Sequence, residues 1–188
     1  MTNPDRLAED LADALRRLHS LDPAGIPPQP EGWESESRQD LLKELSAVAD
    51  LIRPLLDDEL RATAQPYLTA ALPRPPYDGP NRVIHNDMCA DHVLVDPESG
   101  RLTGLLDFTD VIVGDPVLDF VGLVGVGDLR FVSAVIDRYG LSLDKGYADR
   151  LRWLTCVLTL LWLGEAATDP DGPADVDKHV LWVRRAFG

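Results

Sequence analysis

Two stretches decide how this chain is read: His85-Asn86-Asp87-Met88-Cys89-Ala90-Asp91-His92-Val93-Leu94-Val95, and Leu105-Leu106-Asp107-Phe108-Thr109-Asp110. Between them lies Asp96-Pro97-Glu98-Ser99-Gly100, whose residue types make a turn. Short β-branched and apolar runs flank that turn, so residues 92–95 and 102–106 predict a β-hairpin. With the turn centred between Glu98 and Ser99, His92 falls opposite residue 105. Asp107 then sits just past the open end of the hairpin, and Asp87 lies in the loop entering that same end. Three groups able to bind a metal or move a proton thus converge from some twenty residues of chain.

Outward from the hairpin the pattern is helical. Asn3 and Pro4 predict a cap and first-turn proline for a helix with Leu7, Leu11, Leu15 and Leu18 on one face. A Pro- and Gly-rich loop follows from Asp22 to Trp33. Ser37-Arg38-Gln39-Asp40 reads as a capping box for a second helix reaching Leu51, closed near Pro54. A third helical stretch covers 57–71, with a kink expected near Pro66. Residues 73–80 are a loop by composition, and Val83-Ile84 is a short strand. Beyond the hairpin, helices are expected from Asp115-Pro116 to Val121, over 129–139 closed by Gly140, over 145–167, and over 176–186. The layout is an α+β domain, mostly helical around one small hairpin.

Composition narrows the partners. The 188 residues suit one domain, and 45% of them are apolar, enough for a core. Against 18 Lys+Arg stand 32 Asp+Glu, a formal charge of −14. Such a surface repels nucleic acid and anionic membranes and attracts cations. It serves solubility, or it lines a pocket for a polycationic substrate; both readings stand. Two cysteines far apart, Cys89 and Cys156, with no signal segment at Met1–Asp5, point to a reducing cytoplasm. The longest apolar run, Trp153–Leu163, is too short for a bilayer and reads as a buried helix. Trp153, Trp162 and Trp182 are most simply core.

The paired stretches resemble the aminoglycoside phosphotransferases, kinase-fold enzymes with a loop of the form H-x-D-x-x-x-x-N/H and a later I-D-F/W-x-D. Here the first is His85-Asn86-Asp87 through His92 and the second is Leu106-Asp107-Phe108-Thr109-Asp110. Gly114-Asp115-Pro116 and Asp119-Phe120 extend the match over about 40 residues, and Leu11–His19 resembles the helix that opens the family's C-terminal lobe. The resemblance implies a protein-kinase-like C-terminal lobe over residues 1–188, with catalytic and metal loops at 83–110 and acceptor-binding helices in 35–71 and 115–188. It implies Asp87 as the catalytic base, His85 and Asn86 as supporting residues, and Asp107 and His92 as ligands of Mg²⁺ or Mn²⁺. His92 replaces the usual Asn, and a packed structural role for it stands beside the ligand role. Asp91 and Asp110 are candidate substrate-binding groups. Asp115 and Asp119 read as capping and loop-bracing groups, and Cys89 as a small buried residue. Thr109 stands where the family has Gly, which is expected to stiffen the metal loop.

The implied reaction is transfer of the γ-phosphoryl group of ATP or GTP to a hydroxyl of a small, cationic molecule such as an aminoglycoside. Phosphoryl transfer needs a cation against the phosphates and a carboxylate for the hydroxyl, a few ångströms apart. The family's other lobe carries a Gly-rich loop and a strand Lys, and neither can be placed: Lys43, Lys145 and Lys178 lie on helical patterns or out of place. A separate N-terminal lobe or a homodimer is therefore a candidate partner, and weak nucleotide binding is expected of this chain by itself. Two alternatives remain at this level: a non-catalytic binding or regulatory module, and a lobe repurposed for a different, metal-assisted or rearrangement reaction.

Overall fold

In the computed structural model, residues 3–26, 38–69, 77, 79–169 and 173–188 are described. Helices dominate, and four short strands pair as two separate antiparallel ribbons. The chain forms two compact units, residues 1–30 with 76–151 and residues 31–75 with 152–188.

The first unit carries both diagnostic stretches. It opens with α1 (Pro4–Leu18), and Asn3 caps it as expected, its side chain accepting from the Arg6 N–H at 3.2 Å. Leu7, Leu11 and Leu15 are buried along one face. That face packs on α5 (Leu129–Tyr139), whose Phe131, Val132, Val135 and Tyr139 complete a core with Phe120 and Leu123. Asp128 caps α5 and Gly140 ends it at φ 79°, a left-handed position that glycine enters without a Cβ clash.

Strands β1 (Arg82–Ile84), β2 (Val93–Val95), β3 (Leu102–Leu105) and β4 (Ile112–Gly114) make the two ribbons. β2 and β3 are the expected hairpin. Its register departs from the simple turn count: Val95 faces Leu102, but Leu94 faces Gly104 and Val93 faces Leu105. The irregularity between Leu94 and Val95 leaves Thr103 without a partner opposite, so His92 comes to lie by Leu106, whose N–H donates to the His92 carbonyl at 2.9 Å. β4 was not expected from sequence. It pairs with β1, Ile84 against Ile112 and Arg82 against Gly114. The loop 85–92 therefore leaves one ribbon and enters the other, and the loop 106–111 makes the return journey. Both loops are anchored at both ends.

After β4 the chain turns at Asp115-Pro116, where the Asp115 carboxylate accepts from the Val117 N–H at 3.0 Å, and enters the single-turn helix α4 (Leu118–Val121). Gly122 follows because a Cβ there would lie 1.5 Å from the Met88 carbonyl oxygen. Arg150, fully buried, reaches Asp115 at 2.5 Å and Asp144 at 2.7 Å, and stacks 4.7 Å above the Tyr77 ring.

The second unit gathers α2 (Arg38–Ile52), α3 (Asp58–Leu68), most of α6 (Tyr147–Thr168) and α7 (Pro173–Phe187). Pro66 sits inside α3. Tyr67 meets Phe187 edge-on at 5.3 Å, and Arg184 pairs with Asp57 at 2.6 Å. The apolar run in α6 is a buried helix: Leu154, Cys156, Val157, Leu160 and Leu163 are almost fully covered, and Trp153 and Trp182 are buried. Its polar interruption costs little, since the Thr159 hydroxyl donates to the Thr155 carbonyl at 2.7 Å. Among the described residues no helix is long and apolar enough to cross a membrane. The expected capping box at Ser37, most of the loops at 22–33 and 73–80, and the end of the third helical stretch lie outside the described residues.

Candidate active site

The first loop begins at His85, which is completely buried. Its Nε2–H donates to the Leu106 carbonyl at 2.8 Å, tying the two loops together, and its Nδ1 faces the Asp87 N–H at 3.3 Å. Phe108 leans on the same ring, 4.6 Å between centroids. Both ring nitrogens of His85 are thus occupied by protein. Asn86 takes φ 66°, a left-handed conformation that Asn tolerates better than most residues.

That strained turn is held by Asp119. Its buried carboxylate accepts from the backbone N–H of His85 and of Asn86, each at 2.8 Å. A third bond comes from His19 Nε2 at 2.9 Å. The other His19 nitrogen receives the Tyr139 hydroxyl at 2.5 Å, which fixes the ring proton on Nε2. Burial pushes the Tyr139 phenol well above its usual range, so it stays a donor. The bracing role expected of Asp119 is therefore present, with two buried partners behind it.

Downstream of the brace, Asp87 presents a side chain 46% exposed. His92, at the end of a short 3₁₀ turn (Ala90–His92), is less accessible. Its Nδ1 lies 2.8 Å from the Asp87 backbone carbonyl, so the ring proton belongs on Nδ1 and the lone pair on Nε2. The Asp87 carboxylate stands 3.5 Å from Nδ1, and the Asp107 carboxylate 4.0 Å from Nε2. One imidazole therefore has a carboxylate on each side, one from each loop.

Asp107 takes φ 57° and is about half exposed. The Thr109 hydroxyl donates to its carboxylate at 2.6 Å and the Thr109 N–H at 3.3 Å. These bonds, hydroxyl first, hold the carboxyl below the usual Asp range, with a smaller contribution from His92. The left-handed residue in this loop is Asp107 and not Thr109, so the Gly-to-Thr change carries no backbone strain of the kind expected. It adds a donor to the carboxylate instead.

The two remaining candidates lie on the same two loops. Asp91 is exposed on the 3₁₀ turn and Asp110 half-buried at the end of the second loop. Cys89, read from sequence as a small buried residue, is placed differently. It is half-buried, and its Sγ lies 3.4 Å from His92 Nδ1. With Asp87 and His92 it forms a set whose ligand atoms all lie within 4.8 Å of one another. The Cys-x-x-His spacing of residues 89–92 was the available signal. Leu94 and Leu106, 42% and 45% exposed, share one face of the hairpin with Gly104 between them. They leave an open apolar surface beside Asp107.

Residues 1–154 match the model of a phosphotransferase enzyme family. The fold is similar to that of an aminoglycoside 2''-phosphotransferase solved with GDP and kanamycin, at 25% identity and a TM-score of 0.64, covering 97% of this chain and 62% of that one. It is also similar to a macrolide 2'-phosphotransferase from Brachybacterium faecium, at 19% identity and a TM-score of 0.56, over 95% of this chain and 59% of that one. The protein YcbJ of Bacillus subtilis, itself uncharacterised, is 47% identical over 45 residues, which are 24% of this chain and 14% of YcbJ. The chain thus spans about three-fifths of the length of these solved relatives.

Proposed function

This chain belongs to the phosphotransferase enzyme family, and from that premise we propose that it is the metal- and acceptor-binding part of an enzyme moving the γ-phosphoryl group of ATP or GTP to a hydroxyl of a small cationic molecule, an aminoglycoside or a similar polyamine-bearing compound. The observation that carries the reading is the His92 imidazole flanked by Asp87 at 3.5 Å and Asp107 at 4.0 Å. The chemistry needs one carboxylate for the hydroxyl and a separate one for a cation, close together but not shared.

Asp87 takes the first role. Its carboxylate is accessible, while its backbone is fixed through the Asn86 turn and the Asp119 brace. It accepts the hydrogen bond of the incoming hydroxyl, orients the oxygen, and takes the proton as the new O–P bond forms and the bond to the departing nucleoside diphosphate breaks. Asp107 and His92 take the second role. Asp107 is ionised at neutral pH, and the Nε2 lone pair of His92 faces it. These donors fit Mg²⁺ or Mn²⁺, the imidazole favouring Mn²⁺. A cation held there neutralises charge on the phosphoryl oxygens. The apolar face at Leu94 and Leu106 suits one side of a purine ring. The Gly-rich loop and strand Lys that would cover the phosphates cannot be placed in these 188 residues. They would come from further chain or from a separate lobe. The net charge of −14 favours a cationic acceptor.

The test is Asp87→Asn in the protein completed by its nucleotide-covering lobe. Turnover should fall by about 10²–10⁴-fold, with acceptor affinity by calorimetry unchanged. Normal turnover in the variant would refute the assignment of Asp87. The absence of a phosphorylated product from the complete wild-type protein, with either nucleotide and a panel of aminoglycosides, would favour a binding module instead.

A further inference from the structure

We propose that Asp87, Cys89 and His92 form a second metal site, one for a thiophilic divalent cation such as Zn²⁺, sharing His92 with the Asp107 side but using its opposite nitrogen. The spacing supports this. Tetrahedral Zn²⁺ with a Zn–S bond of about 2.3 Å and Zn–N and Zn–O bonds of about 2.0–2.1 Å has S···N edges near ~3.5 Å and N···O edges near ~3.3 Å. The protein holds Cys89 Sγ 3.4 Å and Asp87 Oδ2 3.5 Å from His92 Nδ1. The thiol also lies within 4.8 Å of an Asp87 carboxylate oxygen. A softer donor than oxygen is what separates this set from a Mg²⁺ site, since thiolate selects Zn²⁺ over hard cations. Three protein ligands leave a fourth position for water.

Binding requires a change of tautomer. As the ring stands, Nδ1 carries the proton and points it at the Asp87 carbonyl, 2.8 Å away. A cation on Nδ1 needs that lone pair, so the ring proton must sit on Nε2, and the Cys89 thiol must lose its proton to solvent. Nε2–H then faces the Asp107 carboxylate, now 4.0 Å away, which can close on it. A carboxylate behind a metal-bound imidazole is the usual support for a Zn²⁺ ligand. The two cation modes are therefore mutually exclusive at His92. One uses the Nε2 lone pair toward Asp107. The other blocks that lone pair with a proton and engages Asp87. The binding claim stands on geometry alone. Only the consequence, that Zn²⁺ would silence the site, rests on the phosphotransfer reading.

Cobalt titration of the reduced, metal-free chain tests the binding claim without any activity measurement. Co²⁺ should give a thiolate-to-cobalt charge-transfer band and intense tetrahedral d–d bands, both erased by one equivalent of Zn²⁺. Cys89→Ser should lose the charge-transfer band. Cys156 cannot replace it, being fully buried with its Sγ directed at the Ala186 carbonyl. Asp107→Asn should keep the band but weaken Zn²⁺ binding about 10–100-fold. A wild-type spectrum without the thiolate band overturns the site, and so does a band that survives in Cys89→Ser. Unchanged affinity in Asp107→Asn overturns the tautomer argument.

Discussion

Replacing Asp119 by Asn tests the brace beneath the first loop. The two side chains are nearly the same size, so packing is preserved. The carboxylate accepts three bonds, from His85 N–H and His19 Nε2–H on one oxygen and from Asn86 N–H on the other. An amide has one oxygen. If that oxygen keeps the first pair, its NH₂ group faces the Asn86 N–H, donor against donor. One buried donor left unpaired costs about 1–3 kcal/mol. The two surviving bonds lose their charge assistance, at roughly 0.5–1 kcal/mol each. The sum is about 3 kcal/mol, or a fall in melting temperature of roughly 6–12 °C for a chain of this size. Urea unfolding followed by far-ultraviolet circular dichroism measures the loss. The disturbance lies under Asn86, which is already held at φ 66°, so the loop should relax and Asp87 move with it. Turnover in the completed enzyme should fall further than stability predicts, since a shift of about 1 Å can cost roughly 100-fold. A variant within about 0.5 kcal/mol of wild type would show that the three short bonds do not hold the loop.

Two further substitutions probe other supports. Arg150→Ala removes the only group bonded to both Asp115 and Asp144 among the described contacts, leaving two covered carboxylates uncompensated; a loss of about 3–5 kcal/mol is expected by urea unfolding, and less than about 1 kcal/mol would refute the bridge. Thr109→Val deletes the hydroxyl donor to Asp107, so that carboxyl should titrate closer to the ordinary Asp value in a carbon-detected NMR titration. Since the folded value lies below the unfolded one, the associated stability is present above the unfolded carboxylate range and is lost as pH falls through the folded value; in Thr109→Val that pH-dependent part should shrink, and an unchanged titration would contradict the assignment.

Much of the fold was legible because its determinants are local. The Asn3-Pro4 start, the turn at 96–100 and the glycine stop at Gly140 each depend on neighbours a few residues away. Non-local features were harder. β4 is three residues long and lies between turn-forming aspartates, so nothing in Ile112-Val113-Gly114 declares a strand until β1 is beside it. The hairpin irregularity at Thr103 moved His92 one position along its partner strand, a shift no turn count reveals. His19 supports the first loop by way of Asp119, which is 100 residues away from it along the chain. Cys89 looked like packing because its neighbour in space, the Nδ1 face of His92, depends on a 3₁₀ turn that places the two side chains together.

The most direct test of the central claim is Mn²⁺ relaxation in the ¹H–¹⁵N spectrum of the protein. Seating of the cation by His92 and Asp107 predicts that substoichiometric Mn²⁺ broadens the amides of residues 85–92 and 106–110 first, and that Asp107→Asn abolishes this selectivity. Broadening that begins elsewhere, or that is the same in Asp107→Asn as in wild type, would contradict it.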